Sequence, residues 1–186
     1  MGKDWQDCIV TLIDLQGVKA MAEQGIASKL MLKFHNIVIK ERDSLNTTAH
    51  AYVWNDSVLL LSYVNEDDSS FESAMKDADK LKRRVDVIVR SYAIAVKGQT
   101  FPPVNDAATH KKSPSVTVIR ASSWAMANVF EIEKKLGNLK KPWYVDGWIK
   151  NRITTSQKFQ KESMTMFPSK KKRPIYVFDG YLWAQE

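Results

Sequence analysis

HAYVWNDSVLLLSY, His50 to Tyr63, holds two runs of β-branched, aromatic and aliphatic residues separated by Asn55-Asp56. Asn and Asp side chains bond readily to their own backbone and favour tight turns, so the stretch predicts a hairpin. Its tip carries a carboxylate, Asp56, at the end of an otherwise apolar pair of strands. Upstream, DCIVTLIDLQG (Asp7–Gly17) is a short β-branched run stopped by Asp14 and Gly17, which reads as a central strand ending in a turn. Leu30, Phe34, Ile37 and Val38 then recur at helical spacing, with Lys29, Lys33, Lys40 and Glu41 off that face. Downstream of the hairpin, acidic and Ser residues from Asn65 suit a helix N-terminus, and Phe71, Met75, Ala78, Leu81, Val85 and Ile88 share one face. SYAIAVKG (Ser91–Gly98) reads as a fourth strand.

The order strand, helix, strand, strand, helix, strand predicts an α+β fold with a ferredoxin-like βαββαβ core, whose first strand lies in the middle of an antiparallel sheet. The rest is read as a C-terminal extension. Residues 98–114 read as a polar, Pro-containing loop, Ser115–Ile119 as a strand, and Ser122–Leu136 as a helix stopped by Gly137 in C-cap position. Lys141–Ile153 and Arg173–Trp183 read as two further short elements; the mixed segment 154–173 carries no clear pattern. With neither a repeat nor a linker, residues 1–186 are expected to form one domain.

Composition narrows the classes. A hydrophobic fraction of 44%, with 7 Gly and 6 Pro, excludes disordered and collagen-like chains. Lys and Arg outnumber Asp and Glu by 28 to 21, and the net charge of +7 favours anionic partners. The single Cys8 excludes an internal disulfide, and no Cys/His spacing is of the zinc type, so a cytoplasmic location is expected. The apolar run after Asp4 and Asp7 is too short for an exporting or spanning segment, and no direct membrane contact is expected. Lys80–Arg84, KLKRR, reads as the solvated side of a helix; Asp77 and Asp79 beside it weaken a nucleic-acid reading. His35, His50 and His110 have no ligand spacing, and His35 reads as a surface or boundary residue.

In the ferredoxin-like arrangement the end of strand one lies beside the start of strand three. Asp14 and Asp56, 42 residues apart, should therefore meet at one edge of the sheet. Like charges there repel unless a cation lies between them, and carboxylate plus phosphate oxygens suit Mg²⁺ or Mn²⁺. Gln16 and Gly17 turn the strand into a helix whose N-terminal amides can face a phosphate. Two metals, two carboxylates and a phosphate cradle would equip an in-line displacement at phosphorus. Spacing alone leaves a second reading open, in which Asp14 caps a helix and Asn55-Asp56 is only a turn.

The motifs resemble those of the class III nucleotide cyclases. LIDLQGV aligns with the family's strand-end motif F-x-D-I-x-G-F, with Asp14, Leu15 and Gly17 in register, and WNDSVLLL aligns with its G-D-S/A hairpin tip, with Asn55 replacing the Gly. SYAIAVKG, SVTVIRASSWAMANVFEIEKKLG and SKKKRPIYVF are similar to its later segments, so the resemblance spans most of the chain. It implies two ions held by Asp14, Asp56 and the Leu15 backbone carbonyl, phosphate contacts from Gln16, Gly17 and the lysines 170, 171 and 172, and a head-to-tail homodimer. The usual transition-state Arg is missing in either alignment: the positions matching Asn and Arg are Trp124 and Asn128, or, one turn on, Asn128 and Ile132, which makes Asn128 the Asn. Arg120, Lys97 or a lysine of the 170–172 run would have to supply the charge of that Arg, with Asn128 the further transition-state candidate as the neutral donor.

Four residues before the second metal Asp, adenylyl cyclases of the family use Lys and guanylyl cyclases use Glu; here stands Tyr52. A phenol suits hydrogen bonding or stacking with a smaller base, and Tyr at this place resembles the stand-alone uridylate cyclases of the bacterial Pycsar anti-phage systems. That resemblance implies UTP as substrate, cyclic UMP as product and a separate effector that responds to the cyclic nucleotide. Tyr52 and the Asp pair of one chain would face helix 122–136 of the other. The competing classes are a cytidylate or purine cyclase, a cyclase fold that binds a nucleotide without turnover, and an RNA-binding ferredoxin-like module. Direct nucleic-acid contact is not expected on the first reading.

Overall fold

The computed structural model describes residues 5–45, 50–65, 67–100, 110–112, 117–119, 123–136, 141–154, 158–166, 169 and 171–183. In chain order the elements are β1 (Gln6–Leu15), α1 (Val18–Glu23), α2 (Ala27–Arg42), β2 (His50–Trp54), β3 (Ser57–Tyr63), α3 (Asp68–Asp86), β4 (Ser91–Thr100), β5 (His110–Lys112), β6 (Thr117–Ile119), α4 (Trp124–Leu136), β7 (Trp143–Asp146), α5 (Gly147–Lys150), β8 (Phe159–Met166) and β9 (Lys171–Phe178). Seven strands form one sheet in the order β2-β3-β1-β4-β7-β9-β8. β1 lies between β3 and β4 and is antiparallel to both, the predicted core arrangement. β7 joins β4 in parallel and extends the sheet toward the β8–β9 hairpin.

Side chains alternate across β1. Ile9, Ile13 and Leu15 enter a core shared with Phe34 and Val38 of α2 and Phe71, Met75 and Leu81 of α3. Cys8, Val10 and Leu12 enter the opposite core, closed by Ala125, Val129 and Ile132 of α4 and by Met164 and Met166 of β8. The continuous apolar character of β1 follows from burial on both faces. α3 starts where expected, with Asp67 accepting from the Ser70 amide at 3.0 Å.

Three expectations need correction. Gly98–Thr100 belong to β4 rather than to a loop, because β1 continues to Gln6 and pairs with Thr100. Gly98 marks a close approach, not a stop: a Cβ there would lie 2.6 Å from that of Ala125 on α4. Within the same predicted loop, His110–Lys112 form a strand that pairs with Thr117–Ile119 as a separate ribbon. The third concerns KLKRR, in which Lys80 and Arg84 are exposed but Lys82 is 1% exposed. Lys82 Nζ donates to Asp86 Oδ2 at 2.6 Å and to the Ser91 carbonyl at 3.1 Å, so this cation holds α3 to the start of β4.

The unassigned segment contains β8, an edge strand whose inward residues are only Met164 and Met166. So few buried positions leave little alternation to read. Gly137, read as a C-cap, lies outside the described residues; α4 ends at Leu136.

Candidate active site

Asp14 is the penultimate residue of β1 and pairs with Ser57, so the β2–β3 turn carrying Asp56 lies against the end of β1. The Leu15 amide donates to the Asp56 carbonyl at 3.0 Å and ties the two strand ends together. Ser57 Oγ donates to Asp14 Oδ1. Burial pushes the Asp14 carboxyl up to about 6, and the nearby Asp56 and Glu133 carboxylates push the same way, against hydrogen bonds from Ser57 and Tyr92. Tyr92 of β4 donates to Glu133 Oε1 of α4 at 2.8 Å, and burial together with the Asp14 contact raises its phenol. A phenol carries one proton, so it cannot donate to both carboxylates at once.

A half-buried carboxylate raised by two carboxylate neighbours belongs to a donor set short of positive charge. Hard oxygen donors at one strand end fit a divalent cation of the Mg²⁺ or Mn²⁺ type. No group of three or more His, Cys, Asp and Glu suited to a metal occurs among the described residues, so such an ion would draw its remaining ligands from backbone, substrate or water.

After Leu15, the Gln16 amide donates to the Arg90 carbonyl at 2.9 Å. Gly17 then turns the chain into α1 with φ +79°, a conformation that favours glycine. The first amides of α1 have no acceptor within the helix.

Tyr52 pairs with Leu59 and is half-buried against the core beneath α4, and Trp54 contacts Phe130 of α4 with ring centroids 6.0 Å apart. The chain's own α4 thus packs on the sheet face that carries Tyr52. Tyr63 lies on the same face; burial and the nearby Tyr52 and Cys8 push its phenol up to about 12.

The other candidates separate. Lys97 lies on the α2/α3 face near the far end of β4, paired with Asp7 at 2.8 Å. Five residues separate it from Tyr92, roughly 17 Å along a strand, so it does not join Asp14 within one chain. Asn128 is 5% exposed on the inner side of α4, and Ile132 is also buried there, whereas Trp124 is 49% exposed. Lys171 and Lys172 are exposed at the start of β9, opposite Met166 and Thr165 and toward the other end of the sheet from Asp14. Arg120 and Lys170 lie outside the described residues.

Sequence reading missed Ser57, Tyr92, Glu133 and His35. Ser57 and Tyr92 are the direct ladder partners of Asp14 on either side, and the register alone would have found them. Glu133 needs the packing of α4. His35 of α2 bonds the hairpin tip, with Nε2 2.8 Å from the Asn55 carbonyl.

No family model matches the chain, and no curated protein matches it in sequence. Solved structures do match in shape. The guanylyl cyclase Cya2 aligns with a TM-score of 0.59 at 11% identity, over 97% of this chain and 95% of that one. The adenylyl cyclase CyaB from P. aeruginosa gives 0.66 at 8% identity, with 96% of each chain covered. The guanylate cyclase domain of RhGC from Catenaria anguillulae, solved with GTP, gives 0.58 at 11% identity over 97% and 100%. The chain has the fold of the class III nucleotide cyclase domains.

Proposed function

We propose that the protein is a nucleotide cyclase that converts UTP to 3′,5′-cyclic UMP and pyrophosphate. The observation that carries this reading is the meeting of Asp14 and Asp56 at one strand end, on a fold shared with known cyclases. Asp14, Asp56 and the Leu15 carbonyl would hold two Mn²⁺ or Mg²⁺ ions, which supply a lowered pKa for the 3′-hydroxyl and charge stabilisation on the phosphates. The chain's own contribution is placement. Ser57 orients Asp14, and the Leu15 amide fixes the backbone of Asp56. Gly17 and the start of α1 would offer amides to phosphate oxygens, the Gln16 amide being held by the Arg90 carbonyl, and the half-buried Tyr52 would offer its ring and hydroxyl to the base.

The reading includes a head-to-tail homodimer, because Lys171 and Lys172 lie toward the opposite end of the sheet from the carboxylates. Only a second copy would bring such lysines to the phosphates. Mixing an Asp14→Ala chain with a Lys171→Ala/Lys172→Ala chain should then restore activity that neither has alone. Failure to complement, with both chains folded, removes the shared-site arrangement.

Incubation with each of the four nucleoside triphosphates and Mn²⁺ decides the main proposal. Cyclic UMP is expected; a purine product alone would remove the Tyr52 argument, and no product from any would remove the enzyme. Tight UTP binding without product would select the binding-only alternative, and cyclic CMP the cytidylate one. Both sheet faces carry packed cores, which leaves the RNA-module reading without its open aromatic sheet face among the described residues. The resemblance to Pycsar cyclases extends the proposal to a cytoplasmic anti-phage role with a separate effector. Cyclic UMP appearing only in infected cells tests that extension.

A further inference from the structure

The peptide groups on both sides of Asp56 are held, each by a different element. The Asp56 carbonyl accepts from the Leu15 amide at 3.0 Å. The Asn55 carbonyl lies 2.8 Å from His35 Nε2, and since a carbonyl can only accept, this nitrogen carries the proton and donates. Trp54 pairs with Ser57, so Asn55 and Asp56 form a two-residue loop whose carbonyls lie outside the β2–β3 ladder. Asn55 has φ 42°, a left-handed conformation that a non-glycine residue holds only when its surroundings fix it.

His35 is well placed to do this. Its neighbour Phe34 is fully buried in the core beneath α2, and Val38, one turn on, is buried with it. The rings of Phe34 and His35 are in contact, with centroids 5.6 Å apart and planes tilted by 51°. The backbone torsions of Asp56 describe how the two flanking peptide planes are oriented about its Cα. Holding both planes fixes those torsions and with them the direction of the Cα–Cβ bond.

We infer that His35 is a positioning residue for the Asp56 carboxylate, acting through the Asn55 carbonyl without touching substrate or metal. The inference rests on the proposed metal role of Asp56. It assigns α2, which packs on the face of the sheet opposite α4, a part in building the site.

The test is Mn²⁺ alone, titrated into the full chain with the free ion followed by electron paramagnetic resonance, and thermal melts run in parallel. His35→Ala should weaken Asp56-dependent Mn²⁺ binding about tenfold or more, the usual effect of losing an outer partner of a metal ligand. His35→Gln, whose amide N–H reaches a similar point, should recover most of that loss, and both melts should stay within about 4 °C of the parent. Unchanged Mn²⁺ affinity in His35→Ala overturns the inference. So does equal weakening in both variants accompanied by lowered melts, which marks a merely structural residue. If Asp56→Asn leaves Mn²⁺ binding of the parent intact, the metal reading itself fails and takes the inference with it. Asp56-dependent binding that ignores His35 removes only the inference.

Discussion

Asp14→Asn should stabilise the metal-free protein while abolishing its activity. In the folded chain the Asp14 carboxyl is raised from 3.8 to about 6, chiefly by burial and then by its carboxylate neighbours. A group that holds its proton more tightly when folded favours the folded state below its unfolded pKa. That advantage fades as pH rises through about 6, and at pH 7.5 the ionised Asp14 is a net burden. A two-unit shift corresponds to about 3 kcal/mol, and solvent screening of this partly exposed group reduces it to about 1–2 kcal/mol. Asparagine fits the same contacts: its Oδ1 can accept from Ser57 Oγ, and its Nδ2 can donate to the Tyr92 oxygen while that phenol donates to Glu133. In chelator at pH 7.5 the variant should therefore melt about 2–8 °C above the parent, a gap that narrows as pH falls through about 6 and closes only below the unfolded value of 3.8. Mn²⁺ at ten times its dissociation constant should add about 1.4 kcal/mol to the parent and much less to the variant. Differential scanning calorimetry across pH, with and without Mn²⁺, reads all of this. A variant less stable than the parent at pH 7.5, or one that Mn²⁺ stabilises equally, would refute the idea that Asp14 is a strained carboxylate awaiting a cation.

Other perturbations separate chemistry from scaffold. Asp56→Ala should remove turnover at least a hundredfold in the four-nucleotide assay with an unchanged melt, since loss of a metal ligand forfeits about 3 kcal/mol or more of transition-state stabilisation; near-normal activity would mean that the ion is held elsewhere. Tyr52→Phe keeps the ring and removes the hydroxyl, so kcat/KM for UTP should fall about tenfold with little change in the melt. If it does not fall, the hydroxyl does not read the base. Gly98→Ala places a Cβ 2.6 Å from Ala125 Cβ and must push α4 away from β4. It should destabilise the protein by about 1–3 kcal/mol in urea unfolding, and a neutral result would show that α4 yields easily.

The parts that could be read from the sequence are those governed by local pattern. β1 shows as an unbroken β-branched run because both of its faces are buried, and β3 likewise beside it. The hairpin showed through its turn residues, and α3 through its acidic start and its apolar stripe. Once β1 was set beside β3, the nearness of Asp14 and Asp56 followed from topology alone. Where environment rather than pattern decides, the reading failed. Lys82 lies in a run of cations and looks solvated, yet its partners Asp86 and Ser91 allow it to be buried. Gly98 looks like a strand terminator, yet it lies within β4 where Ala125 of α4 approaches closely.

The same distinction applies within the site. Asp14 and Asp56 carry a signature that spacing preserves, but the groups that determine how Asp14 behaves come from three other elements. Ser57 and Tyr92 are its ladder neighbours on β3 and β4, and Glu133 reaches it from α4 through the Tyr92 hydroxyl. None of these residue types signals a role alone, because Ser, Tyr and Glu are common in strands and helices for ordinary reasons. Their effect is electrostatic and collective: burial and neighbouring carboxylates raise Asp14, and the Ser57 hydroxyl donates to it. α4 therefore does two things on one face of the sheet. Near Tyr52 it closes the core beneath the position proposed to read the base, and near Asp14 it brings an added negative charge that favours a cation. A displacement of α4 would alter both together, so metal affinity and base preference should change in step in variants of its inner face.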